Sequence, residues 1–423
     1  MLSVALGGQR AAKRIAWPRP TPESADVRAV LVQAFRSAPV VCTHRGSRRP
    51  PPRWSWLCYG PGVRKSIPLG GTLIRVGGLK LLGHGRPKPL LDENGRPLRG
   101  SISEKAFADI NGVRQGMFIQ SKDAAHPVLL FLHGGLPEYF LTERYPTGLE
   151  DDFTVVWWEQ RGAGLSYSSG IPPETMTLEQ FIADTVSVTN YLRTRFGKER
   201  IYLMAHSGGT FIGLQAAARA PELYDAYVGV AQMVNQLRSE RLAYEYMLSR
   251  FEETGDSRMV RKLKAAPVTM TGGTPKAYLA MRDRAMHRLG VGTTHDMKSV
   301  FSGVVWPSLR SPQYTLAEKA KLWRGKLSSG ASVLWDEMLA TDLAERVTEL
   351  ALPAYFFHGI YDYTVSYQLA KGYCEGLKAP LKGFYSFDRS AHSPILEEPA
   401  KVRRIMREDV LAGANGLADG PRR

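Results

Sequence analysis

Ser207 stands in the stretch Ala205-His206-Ser207-Gly208-Gly209, between an apolar run and a segment rich in Ala and Gly. Small neighbours are what a sharp strand-to-helix turn needs, because such a turn forces its central residue into a strained conformation and lifts the side chain clear of the backbone. The N–H groups at the start of the following helix are then free to hold a developing oxyanion. A hydroxyl is a weak nucleophile, so the chemistry also needs an imidazole to take its proton and a carboxylate to fix that imidazole's tautomer. Asp362 follows the apolar run Pro353–Phe357 in His358-Gly359-Ile360-Tyr361-Asp362, and His392 follows Lys382–Phe387 in Ser390-Ala391-His392-Ser393-Pro394. Asp362 comes 155 residues after Ser207 and His392 a further 30. Each of the three falls just past the end of an expected strand, and that agreement is stronger than any one motif. Ser-Gly-Gly alone also marks ordinary helix starts, where the serine is only an N-cap. Asp388 competes with Asp362 for the acid role but lacks a strand end of its own.

The elements that must position these groups are legible around them. Val113–Gln120, Pro127–Leu132, Phe153–Trp158, Ile201–Met204 and Ala226–Val230 read as strands, several of them continuous apolar runs. Such runs belong to a parallel sheet buried on both faces. Thr177-Leu178-Glu179-Gln180 fits a capping box that opens a helix to about Phe196. Gly208–Arg219 reads as a second helix. From about Met233 to residue 345 the alternation gives way to helical candidates, Leu237–Phe251, Pro275–Arg288 and Leu316–Leu322, and strands resume at Pro353–Phe357 and Lys382–Phe387. A helical block inserted into an open α/β sheet is a cap, and the strand-end loops beneath it are where such sheets place their sites. A second oxyanion donor is expected from His133-Gly134-Gly135, directly after a buried strand, where missing side chains let backbone N–H groups approach a substrate.

Composition narrows the remaining classes. The chain has 423 residues, 43% hydrophobic and 23% charged, which is ordinary for globular proteins. Three scattered cysteines and the lack of CxxC or HExxH spacing argue against a disulfide framework or a structural zinc. No apolar run approaches the roughly 20 residues of a membrane helix, and no signal-peptide pattern is visible, so a cytoplasmic location is expected. The net charge of +16 is local: residues 1–90 hold 16 Lys or Arg against Glu23 and Asp26, and the rest of the chain is close to neutral. The Pro-rich basic stretch, expected to span residues 1–95, reads as a disordered extension, and no nucleic-acid partner is expected. Residues 96–232 and 346–412 are expected to form the core, 233–345 the cap and 413–423 a disordered tail. Gly162-Ala163-Gly164 is not a phosphate loop, since no Lys-Ser/Thr follows.

Taken in order, HGG at 133–135, WWEQRGAGLS at 157–166, AHSGG at 205–209, GIYD at 359–362 and AHSP at 391–394 resemble the α/β-hydrolase superfamily, and most of all its proline iminopeptidase branch. The resemblance runs from about residue 100 to 412. It implies an α/β-hydrolase fold, a mostly parallel sheet covered by helices on both faces with a helical cap inserted after the sixth strand. It also implies Ser207 as nucleophile, Asp362 as orienting acid, His392 as base, and Gly135 and Gly208 as oxyanion donors. The chain departs from the branch in two places: HGGLP stands where HGGPG is usual, and Glu159 where Asp begins the DQRG segment. Peptidases of the branch bind the substrate's free amine through acids in the cap, and Glu240, Glu245, Glu252 and Glu253 lie on a candidate cap helix; of these, Glu240 and Glu245 are taken as the expected substrate-binding residues. Interleaved Arg238, Arg241, Arg250 and Arg258 give the same residues a plainer reading as a solvated charged face.

The expected activity is serine hydrolysis through an acyl-enzyme, on a small molecule or a short peptide with a free N-terminus, without metal or cofactor. An esterase or lactonase would use the same three residues. A non-catalytic ligand-binding protein is the rival from another class, because a fold does not fix a function. His206 is expected to point away from Ser207 and to serve either packing or the support of the residues that line the site. His133 and His358 read as hydrogen-bonded supports, and Trp157 and Trp158 as core.

Overall fold

The computed structural model describes residues 83–420. Up to position 82 the expected extension lies outside the described residues. Residues 83–95, counted with it, are instead held to the body. The Gly85 N–H donates to the Pro312 carbonyl at 3.0 Å, and Leu91 pairs with Pro97 across a turn in which Gly95 takes φ 74°. Of the expected tail, residues 413–420 are described, and there the Asp419 N–H donates to the Phe384 carbonyl at 2.8 Å.

Eight strands form one sheet: β1 (Ile102–Ile110), β2 (Val113–Ser121), β3 (Val128–Leu132), β4 (Thr154–Glu159), β5 (Ile201–His206), β6 (Tyr224–Val230), β7 (Ala354–Gly359) and β8 (Lys382–Phe387). Their order is β1-β2-β4-β3-β5-β6-β7-β8. Every residue of β3, β4 and β7 is buried, as a parallel strand covered on both faces requires. β1 and β2 are antiparallel and close a hairpin through Asn111 and Gly112. Both turn residues have positive φ, 45° and 76°, which suits a two-residue hairpin loop. β2 meets β4 antiparallel, and the pairings from β4 through β8 are parallel.

Helix α1 (Leu178–Phe196) starts at Thr177, whose side-chain oxygen accepts the Gln180 N–H at 3.3 Å, and stops at Gly197, φ 61°. The reciprocal half of the expected capping box is not formed, because the Gln180 amide donates to Asp184 instead, at 2.8 Å. Helix α2 (Gly208–Arg219) is buried along most of its length. It lies so close to the sheet that a Cβ on Gly213 would stand 2.9 Å from that of Ala205.

The segment between β6 and β7 is helical: α3 (Gln236–Glu253), α4 (Ser257–Lys264), α5 (Lys276–Leu289) and α6 (Leu316–Gly325), with shorter turns. Met247, Phe251, Leu263, Tyr278 and Met286 give it an apolar core of its own, against which Tyr361 and Tyr363, on either side of Asp362, also pack. The inserted helices are therefore joined to the loop that follows β7. Helices α7 (Tyr367–Gly376) and α8 (Pro399–Ile405) flank β8 in sequence. No helix among the described residues is long and apolar enough to cross a membrane.

A buried ion pair ties the β1–β2 hairpin to α1 and to the loop after β4. Asp184 accepts the Arg161 Nε at 2.7 Å and also the side-chain amides of Asn111, Gln115 and Gln180. Removing one partner of such a pair leaves an uncompensated charge inside. Asp184→Ala is expected to lower stability by about 3–5 kcal/mol in a denaturant titration. Replacing Arg161 and Asp184 together with apolar residues should recover part of that loss.

Candidate active site

Ser207 occupies the step from β5 to α2 with φ 55° and ψ −129°. Its N–H donates to the Val230 carbonyl at the end of β6 (3.0 Å), and its carbonyl accepts the Thr210 N–H (2.8 Å). The turn fits only because its neighbours lack side chains. A Cβ on Gly209 would lie 2.5 Å from the His133 carbonyl oxygen, and one on Gly134 would lie 2.8 Å from the Ser207 Cβ and 3.1 Å from its Oγ. Ala205, the first residue of the motif, is completely buried. The first N–H groups of α2, Gly208 foremost, have no carbonyl partner within the helix.

The loops after β7 and β8 bring Asp362 and His392 to the serine. His392 Nε2 lies 2.8 Å from Ser207 Oγ, and its Nδ1 lies 2.9 Å from Asp362 Oδ2. The carboxylate can only accept, so Nδ1 carries the proton and Nε2 is left to accept one from the hydroxyl. The other oxygen of Asp362 accepts the N–H groups of Thr364 and Val365 at 2.8 and 3.0 Å. Burial would raise the pKa of this carboxyl, but the charge of His392 and the hydrogen bonds from His358 and His392 hold it well below the usual carboxylate range. Burial lowers the pKa of His392 below the ordinary imidazole value. The attraction of Asp362 opposes that shift, and His206 and His358 add to it. The ring is therefore a free base at neutral pH.

The loop after β3 is braced by a histidine. The Gln160 N–H donates to His133 Nε2 (3.2 Å), so Nδ1 of that ring carries the proton and donates to the Gly134 carbonyl (2.9 Å). Burial pulls the His133 pKa down to about 4, so the ring stays neutral. The Gln160 amide donates to the His133 carbonyl at 2.7 Å. Gly135, the next residue along, is exposed, with open space where a side chain would stand.

Two acids that sequence reasoning passed over also act on this site. Glu138, just after the HGGLP stretch, approaches His206 Nδ1 at 2.6 Å. Glu397, at the end of the short helix Pro394–Glu397, accepts the N–H groups of Ala391 and Ser393 on either side of His392, and that of His295 in the insertion. Burial pushes its pKa up to about 7 against those bonds. Its closeness in sequence to His392 was the available signal, whereas nothing local links Glu138 to His206. Of the two expected roles of His206, the geometry fits support of the site, since its Nε2 lies 2.8 Å from the His392 carbonyl oxygen. Asp388, the rival acid, is not the partner of His392.

The expected amine-binding acids are arranged otherwise. Glu240 is buried and holds Arg282 Nε at 2.6 Å, with further bonds from Tyr278 (2.9 Å) and Gln236 (2.8 Å). Its carboxylate serves to join α3 and α5. Glu245 is half-exposed and pairs with Arg241 one turn earlier on the same helix. Glu252 and Glu253 pair with Lys264 and Arg250. Glu159 is buried, with Leu165 N–H and the Tyr314 hydroxyl on its carboxylate and its pKa raised to about 7 by burial. Trp158 is core, its Nε1–H donating to Gln115 at 3.0 Å.

Residues 127–399 match the family model described as alpha/beta hydrolase fold. The probable aminopeptidase YbaC of Bacillus subtilis (strain 168) is 32% identical over 311 residues, which is 72% of this chain and 95% of the relative. Among solved structures, a proline iminopeptidase-related protein from Thermus thermophilus superposes with a TM-score of 0.51 at 19% identity, over 75% of this chain and 99% of that one. A proline iminopeptidase from Mycobacterium smegmatis gives 0.51 at 13% identity, over 73% and 98%. At these identities the two structures speak to the fold alone.

The close approach of Gly134 to the serine carries a prediction. Gly134→Ala should lower the thermal transition, because a Cβ there cannot be placed without displacing the Ser207 turn. It should cut the rate of serine acylation by about 100-fold, the order expected for a misplacement of reacting groups by about 1 Å. Stopped-flow acylation beside a melting curve measures both.

Proposed function

The chain belongs to the α/β-hydrolase fold family, and from that premise we propose that it is a serine hydrolase working through an acyl-enzyme, an aminopeptidase of the proline iminopeptidase type. The observation that carries the reading is the continuous bond path from Ser207 Oγ through His392 to Asp362, at 2.8 and 2.9 Å. The 32% identity to a probable aminopeptidase supports the choice of substrate class.

In the proposed reaction Ser207 Oγ attacks the carbonyl carbon of the substrate's N-terminal residue while His392 Nε2 takes its proton. The carbonyl oxygen becomes an oxyanion and accepts hydrogen bonds from the N–H groups of Gly208 and Gly135. The imidazolium, held against Asp362, then protonates the leaving amine, which departs and leaves the acyl group on the serine. A water enters, His392 takes its proton, and the resulting hydroxide attacks the ester. Collapse of the second tetrahedral species returns the proton to Ser207 and frees the N-terminal amino acid. No metal or cofactor has a part in these steps.

The proton transfer fixes the sign of the pH dependence. His392 must be neutral to accept the proton, so acylation is constant above the pKa of His392 and falls tenfold per unit below it. Because that pKa lies below the ordinary imidazole value, the falling limb should begin below about pH 6.5.

Labelling by a fluorophosphonate probe tests the serine. Wild type should label and Ser207→Ala should not. A folded wild type that fails to label would leave a ligand-binding protein as the better reading. Prolyl p-nitroanilide with a free amine should be cleaved at least about tenfold faster than its N-acetyl form, since a hydrogen bond to a charged group is worth roughly that factor or more. Equal rates, with labelling intact, would remove the aminopeptidase assignment and leave an esterase or lactonase.

A further inference from the structure

We propose that His206 and Glu138 form a second histidine–carboxylate pair that positions the base: His206 Nε2–H holds the main-chain carbonyl of His392, and the Glu138 carboxylate keeps the His206 ring doubly donating. The inference rests on the serine-hydrolase reading of the same site.

The geometry requires this hydrogen placement. His206 Nε2 lies 2.8 Å from the His392 carbonyl oxygen, which can only accept, so Nε2 carries a proton. Nδ1 lies 2.6 Å from Glu138 Oε1, a short contact, in the direction in which charge assistance shortens an N–H···O bond. The two side chains are 5% and 10% exposed, so water does not compete for either bond. The pair spans three parts of the fold: Glu138 belongs to the loop after β3, His206 ends β5, and His392 lies beyond β8. Because His206 is the residue before the nucleophile, one side chain ties the base's backbone to the turn that carries the attacking oxygen.

The same arrangement places a cation beside the base. The His206 and His392 rings lie 4.9 Å apart. Burial disfavours charge on His206, but the charge and hydrogen bond of Glu138 outweigh it and its pKa is raised, while that of Glu138 is lowered. The other titratable groups around the two rings are Asp362 and His358 from the β7 side, His133 from β3 and Glu397 after β8. Of these, Asp362 favours protonated His392, whereas His206 and His358 oppose it. The His206 charge therefore keeps the base available at lower pH.

The experiment follows the second-order rate of fluorophosphonate labelling against pH, which needs no knowledge of the natural substrate. His206→Gln keeps an amide N–H in the place of Nε2–H but removes the charge. Its plateau should fall by about threefold, and its acid limb should move up by at least about half a pH unit, a modest part of the Coulomb interaction at this range. Glu138→Gln should move the limb in the same direction by less, since the cation and its counter-charge are lost together. His206→Leu, which removes the clamp as well, should lower the plateau by about 100-fold. Acid limbs unmoved in both Gln variants, or a wild-type plateau in folded His206→Leu, would overturn the proposal. If His206→Leu does not fold, the limbs of the two Gln variants decide alone. Absence of labelling in wild type would overturn the serine-hydrolase reading itself, an outcome distinct from unmoved limbs in a wild type that labels.

Discussion

Ser207 is held at φ 55°, a region that non-glycine residues avoid at a cost of order 1–3 kcal/mol. Nothing local favours that conformation, so it persists only because β5, β6 and α2 leave no room for another. The Ser207 N–H is fixed on Val230, its carbonyl on Thr210, and Gly134 and Gly209 close around it at distances no side chain would tolerate. The order β3-β5-β6 at the centre of the sheet provides those neighbours, because the loop after β3 then lies on one side of the turn and the end of β6 on the other. The mainly apolar runs that build these strands thus also serve to hold a strained serine.

Around this turn the electrostatics are set by burial. His392 loses the solvation that would favour its charged form, and Asp362 returns part of that stabilisation through a bond of 2.9 Å. A base with such opposing influences is neutral at rest and can still carry a proton transiently beside its carboxylate. The insertion reaches the same place from above the sheet edge. The Gly292 carbonyl accepts the His392 N–H, and Glu397 binds the N–H groups of His295, Ala391 and Ser393. The backbone of the proposed base is therefore held jointly by the sheet and by the helical insertion.

The strand ends that carry Ser207, Asp362 and His392 are legible in the sequence because each follows a mainly apolar run, the pattern that a parallel strand buried on both faces imposes. The β1–β2 hairpin is half legible. Val113–Gln120 stands out, but β1, Ile102–Ile110, mixes Ser, Glu, Lys and Asp with apolar residues, as suits an edge strand with partial burial, and this blurs its signal. The buried setting of Glu240 is not legible in the sequence because its partner Arg282 is on another helix, whereas the arginines interleaved along α3 suggest a solvated face. The same limit hides Glu138 and His206. They are 68 residues apart, and only the adjacency of β3 and β5 in the sheet brings them together. Spacing reveals which residue types could react; it does not reveal pairs that the sheet order creates.

The most direct test is to trap the intermediate. An activated ester of proline mixed with the protein and quenched in acid should leave a prolyl adduct, read by mass spectrometry on the tryptic peptide that spans residues 201–219 and contains Ser207. A single acyl group on Ser207, formed in a burst and lost as free proline appears, is the result predicted by an acyl-enzyme on this serine. Turnover without any adduct, or an adduct on another residue that persists in Ser207→Ala, would contradict it.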